Sequence, residues 1–261
     1  MKNVLKSIYT GLIFIFLYAP MVVLIILSFN KSKSRAKWGG FTIQWYVKLF
    51  HNSVVMQALI NTLLIAFLSA LIACIIGTIA ALAMNKMGMF ARSAMLGVTN
   101  IPMLNADIVT GISLMLLFLF FRFKFGFMTI LLSHITFNIS YVILSVMPRI
   151  KKMNPSNYEA ALDLGATPVY AFFKVILPDI WPGVLSGFLM AFTMSLDDFI
   201  ITHFSKGPGV DTISTKVYAQ LKKGIDPEMY ALSTLIFISV LALLLLINTL
   251  PAGGKKKEKA K

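Results

Sequence analysis

Apolar residues fill six long stretches of this chain, roughly 8–28, 58–84, 94–121, 125–147, 180–203 and 229–250, and charged residues collect between them. A helix rises 1.5 Å per residue and the hydrocarbon core of a bilayer is about 30 Å thick, so about 20 apolar residues suffice to cross it. Each stretch has that length, and each is predicted to be a transmembrane helix. The first follows Lys2 and Lys6, but its uncharged run is too long for the apolar region of a secretory signal and is read as a retained helix. Pro20, Gly77, Pro102, Gly111 and Gly187 lie inside these stretches, where kinks and close backbone approach require neighbouring helices. The pattern predicts an all-α bundle of about six spans, one membrane domain over 1–254, with a basic tail over 255–261.

Between the fourth and fifth stretches the period changes. Ser156 and Glu159 have the spacing of a capping box, Gly165 supplies a helix stop, and Thr167-Pro168 supplies a second N-cap and first helical position. Val169, Phe172, Phe173 and Ile176 then recur at i, i+3, i+4 and i+7, a greasy face on a segment too polar to span. Residues 154–178 are therefore predicted to form a helical hairpin at the membrane surface. Such a face packs under its own bundle or docks into a groove on a partner.

Composition changes this picture little. Of 261 residues 58% are hydrophobic and 13% charged, and the mean hydropathy of +0.82 excludes an ordinary soluble domain. The formal charge of +14 would point to nucleic acid in a soluble protein. Here the basic residues flank the apolar stretches and read as topology signals and contacts to membrane lipid, with no nucleic-acid partner. With the N-terminus inside, thirteen of the basic residues are cytoplasmic and eleven external, five of the thirteen being tail lysines. Cys74, the single cysteine, lies in an apolar run and reads as a packing residue. No Gly-x-x-x-x-Gly-Lys-[Ser/Thr] occurs, so ATP binding by a P-loop is excluded. No metal site and no catalytic group are expected.

Candidate chemistry lies with carboxylates inside the spans. Asp107, Asp197 and Asp198 each cost about 3 kcal/mol at membrane depth, so each needs a cavity or a partner. Along straight helices Asp107 and Asp198 would stand at similar depth. Gly187, Ala191, Ser195, Asp198, Thr202 and Ser205 form a small-and-polar stripe that could line a path. Asp197 and Asp198 are about 100° apart on a helix, so at most one of the pair faces such a path squarely, and Asp198, on the stripe, is the choice. His134 reads as a hydrogen-bonded bundle residue.

Glu159-Ala160-Ala161, Gly165 and Val175-Ile176-Leu177-Pro178 have the spacing of the EAA loop, which this hairpin resembles, with valine at 175 where isoleucine is usual. Ser28-Phe29-Asn30, Trp45-Tyr46, Asp107-Ile108-Val109, Ser133-His134-Ile135-Thr136-Phe137, Ser195-Leu196-Asp197-Asp198 and Lys216-Val217-Tyr218 extend the likeness over nearly the whole chain. They are similar to the second permease subunit of spermidine/putrescine ABC importers. The resemblance implies a type I permease fold with a cytoplasmic coupling hairpin, in which Glu159, Ala160, Ala161, Gly165, Leu177 and Pro178 engage an ATPase and both termini are cytoplasmic. It implies a bacterial cytoplasmic membrane location, a sister permease, two ATPase subunits that bind ATP and Mg, and an extracytoplasmic polyamine-binding protein. It also implies no cofactor in this chain, and Asp107, Asp197 and Asp198 are the candidate substrate-path residues. Alternatives are an importer of iron(III) or a phosphonate, and an ion-coupled transporter relaying through Asp107, Asp197 and His134. An intramembrane aspartyl protease is disfavoured, because its Gly-x-Gly-Asp is missing.

Overall fold

The computed structural model describes residues 2–34, 36–223 and 226–249, and the basic tail over 255–261 lies outside them. The described chain is helical, with one isolated antiparallel bridge between Asn30 and Phe41. Its described residues form two compact units, those within 2–56 together with those within 219–249, and those within 57–218.

In the first unit α1 (Lys2–Ser28) and α2 (Gln44–His51) both pack on α12 (Pro227–Thr249), which occupies the sixth expected span. The side chains of α1 are largely exposed and apolar, as a lipid-facing helix requires. Buried Asn30 organises the following loop. Its Oδ1 accepts from the amides of Ser32 (3.1 Å) and Gly39 (2.8 Å), and its Nδ2 donates to the Lys37 carbonyl at 2.9 Å. Trp45 Nε1 donates to the Asn30 carbonyl at 2.7 Å, and Asn52 Nδ2 donates to Glu228 at 3.0 Å, tying α2 and α12 together.

The second unit is built around α6 (Phe127–Lys152), which packs chiefly on α9 (Leu177–Asp197). The core joins Ala70, Ala73, Cys74, Ala81 and Met84 of α3 (Ser53–Lys86) to Val142, Val146 and Ile150 of α6 and Ile180 and Ala191 of α9. Small residues let the helices close. A β-carbon on Gly187 would lie 3.1 Å from the Val142 Cα, so glycine is what this crossing needs.

Four described helices are long and apolar enough to cross a membrane: Lys6–Ser28, Ser53–Lys86, Phe127–Lys152 and Pro168–Asp197. The third expected span is not one straight helix. It comprises α4 (Met89–Leu104) and α5 (Asp107–Phe120), bent by 103°. Pro102 removes a helix hydrogen bond near the end of α4, and Asn105 and Ala106 are extended with ψ of 154° and 136°. Asp107 therefore opens a new helix, and depth along a straight helix does not describe it. The fifth span also breaks: α9 ends at Asp197, and α10 (Ile200–Ser205) restarts after Asp198.

The hairpin departs from expectation in two ways. Its first helix, α7 (Pro155–Asp163), is capped by Asn154, whose Oδ1 accepts from the Ser156 amide at 3.1 Å, so the Ser156–Glu159 capping box is not formed. Pro155 at the first position fixes that earlier start. The stop is as expected: Gly165 has φ +88°, its amide donates to the Leu162 carbonyl, and Ala166 donates to Ala161. Thr167 caps the next helix through the Tyr170 amide at 3.3 Å. That helix is not a separate short one. α8 (Pro168–Ala171) runs through a π turn at Phe172–Ile176 directly into α9. The single greasy face is accordingly split, with Val169 and Phe173 exposed and Phe172 and Ile176 half-buried.

Candidate functional site

The three span carboxylates come together. Asp107, Asp197 and Asp198 line one cavity of about 410 Å³, with Pro102, Phe137, Tyr141, Met194 and Phe199 completing much of its wall. The two helix breaks create it. Asp107 is the first residue of α5, after the α4–α5 bend, while Asp197 and Asp198 sit where α9 gives way to α10. Among the described residues the lining includes no lysine or arginine, so there the cavity is an apolar and aromatic space with only acidic charge.

The carboxylates are not equivalent. Asp107 and Asp197 are exposed. The Asp198 side chain is 8% exposed, and its Oδ2 accepts from the Thr202 amide at 2.7 Å and the Thr202 hydroxyl at 2.8 Å. Its Oδ1 accepts from the Ile201 amide at 3.3 Å, so Asp198 caps the restarted helix as well as touching the cavity. Its Oδ2 also lies 3.4 Å from Nε2 of His134.

The stripe on the fifth span is a packing seam rather than a path. Gly187, Ala191, Ser195, Thr202 and Ser205 are buried. Two hydroxyls of α6 meet the Ser205 end of this stripe: Thr129 donates to the Ser205 carbonyl at 2.7 Å, and the Ser133 and Ser205 hydroxyls are 2.7 Å apart. Small polar residues spaced by three and four serve a helix seam as well as a channel wall, and here the close approach of α6 decides for the seam. The sequence reading also missed Phe137, Tyr141 and Phe199 as cavity walls. Their signal was weak in a chain with 21 phenylalanines.

The second candidate surface is the hairpin. Glu159, Ala160 and Ala161 on α7, the Gly165 turn, and Leu177-Pro178 at the start of α9 belong to one continuous helical hairpin. Ala161, Leu164, Gly165, Ala166, Thr167 and Tyr170 line an open concavity of about 510 Å³. Leu164 is 89% exposed and Trp181 53%. Phe173, Leu177, Pro178 and Trp181 line a neighbouring hollow of about 340 Å³.

Residues 73–252 match the family described as "Binding-protein-dependent transport system inner membrane component". The chain is 41% identical over 234 residues to the "Putrescine transport system permease protein PotI" of Escherichia coli (strain K12), covering 87% of this chain and 83% of the relative. It is 36% identical over 243 residues to the "Spermidine/putrescine transport system permease protein PotC" of the same organism, covering 93% and 92%. Among solved structures, a bacterial ABC transporter involved in alginate import superposes with a TM-score of 0.70 at 19% identity, over 94% of this chain and 92% of that one. A second alginate transporter structure, in complex with a pentasaccharide-bound periplasmic protein, gives 0.69 at 20% identity, over 94% and 91%. At those identities the superpositions establish a shared fold. The chain therefore belongs to the family of binding-protein-dependent transport system inner membrane components, multi-pass permease subunits of ABC transporters.

Proposed function

We propose that this chain is the permease subunit through which an ATP-driven importer passes polyamines, spermidine or putrescine, into the cytoplasm. The observation that carries the reading is the cavity at the two helix breaks, where Asp107, Asp197 and Asp198 stand among Phe137, Tyr141 and Phe199. A protonated polyamine alternates cationic nitrogens with methylene runs, so it calls for separated carboxylates with apolar and aromatic surface between them. Anionic cargo would meet only repulsion there. The putrescine and spermidine/putrescine permeases among its relatives support the same cargo class.

In this reading the chain pairs with a sister permease and receives cargo from an extracytoplasmic binding protein on the side of the 29–57 and 204–228 loops. The hairpin over 154–178, with both termini, is cytoplasmic. There its exposed Leu164, Val169, Tyr170 and Phe173 dock on an ATPase subunit, two copies of which supply ATP and Mg chemistry. The test is uptake of radiolabelled putrescine and spermidine by proteoliposomes holding the complete importer and its binding protein. ATP-dependent accumulation is expected. Accumulation of a different solute class, with no polyamine uptake, would overturn the cargo assignment.

A further inference from the structure

We propose that His134 is a positioning residue that clamps the fifth span across its break and thereby fixes the acidic wall of the cavity. The proposal rests on the cavity being the cargo site. Where α9 stops and α10 restarts, the backbone ladder is interrupted, so side chains must hold the two pieces in register. His134 of α6 reaches both. Its Nδ1 lies 2.5 Å from Ser195 Oγ in the last turn of α9, and its Nε2 lies 2.9 Å from Thr202 Oγ1 in α10. The same Nε2 is 3.4 Å from the Asp198 carboxylate between them.

The donors sort themselves. The Thr202 hydroxyl spends its one proton on Asp198, so it must accept from Nε2–H of His134. Nδ1 pairs with the Ser195 hydroxyl on the other side of the ring. The ring is 1% exposed. Its Ser195 arm continues to Ser69 of α3 at 3.2 Å, and Asn138 Nδ2 of α6 donates to Ser69 at 3.1 Å. His134 of α6 thus ties the break to α3 as well. Partly buried Asp198 and exposed Asp197 occupy the peptide that this clamp brackets, so their placement depends on it.

The two arms can be separated, because the amide of glutamine reaches about as far as Nε2 and that of asparagine about as far as Nδ1. In the complete importer His134→Gln keeps only the Thr202 arm and His134→Asn only the Ser195 arm, so each, like Thr202→Val, is expected to raise the half-saturating polyamine concentration about tenfold with little change in maximal rate, the split that marks lost binding geometry. A second readout needs no cargo. With Cys74→Ser and Met194→Cys as background, a cationic thiosulfonate should outpace a neutral one at the cavity, and His134→Asn and Thr202→Val should each cut that preference about fivefold. Wild-type importer that moves no polyamine would remove the cargo reading, and the labelling preference would then decide on the clamp. If His134→Asn does not assemble, Thr202→Val decides. One-armed variants that match the wild type in both readouts, or variants that lower only the amount of assembled complex, overturn the proposal.

Discussion

Gly77 of α3 meets Val142 of α6 with no room between them: a β-carbon on Gly77 would lie 2.8 Å from Val142 Cγ1. Gly77→Val should therefore lower the thermal midpoint of the purified protein, overpacking of this kind costing about 1–3 kcal/mol. Adding Val142→Ala should restore part of the loss, because the two changes act on one contact. A strictly additive double variant would refute the contact.

At the hairpin turn Gly165 has φ +88°, a backbone that a β-branched residue adopts only at a cost of about 1–2 kcal/mol. Gly165→Val should insert normally but fail to retain the ATPase or to couple its hydrolysis to uptake. Co-purification of the ATPase with the tagged variant measures this, and normal recovery with normal uptake would dismiss the hairpin as the dock.

The cavity carboxylates should separate by role. Asp107→Asn with Asp197→Asn removes two exposed charges and should cut polyamine uptake at least tenfold, about 1.4 kcal/mol, with assembly unchanged. Asp198→Asn should also lower the thermal midpoint, because an amide in place of the carboxylate weakens the cap on Ile201 and Thr202. Uptake and thermal midpoint measured on the same preparations decide between the two behaviours.

Topology is open to a direct test. In a Cys74→Ser background, a cysteine at position 157 should react with an impermeant maleimide only after the cytoplasmic face is exposed, and one at position 41 without that treatment. The reverse pattern would invert the orientation.

Hydropathy alone located the four straight apolar helices and the bent pair seen among the described residues, because a membrane requires length and apolarity and little else. It could not locate the breaks. Asp107 and Asp198 interrupt runs whose average remains apolar, and what stops those helices is local: Pro102 followed by extended Asn105, and the carboxylate of Asp198 taking the amides of its own next turn. Residues 107, 197 and 198 were legible as costly charges, yet which of them is exposed and which is bonded depended on Thr202, whose i+4 spacing does not say that it donates, and on His134 of another helix, which no spacing rule connects. Similarly, the stripe from Gly187 to Ser205 was a correct periodicity with two possible meanings, and only the position of α6 chose between them.

The π turn at Phe172–Ile176 has a directional consequence. There the Leu177 amide bonds five residues back, to Phe172, and Pro178 beyond it has no N–H to offer Lys174. A π turn amounts to one residue inserted into an α-helix, and each residue turns the helix by about 100°. The azimuth at which the hairpin presents Val169 and Tyr170, relative to the span carrying Asp197, is therefore set by a single residue's worth of winding. Unwinding that turn to regular α-helix would swing the hairpin about the axis of the span without moving the span itself, a rotary joint between the proposed docking surface and the helix that ends at the cavity.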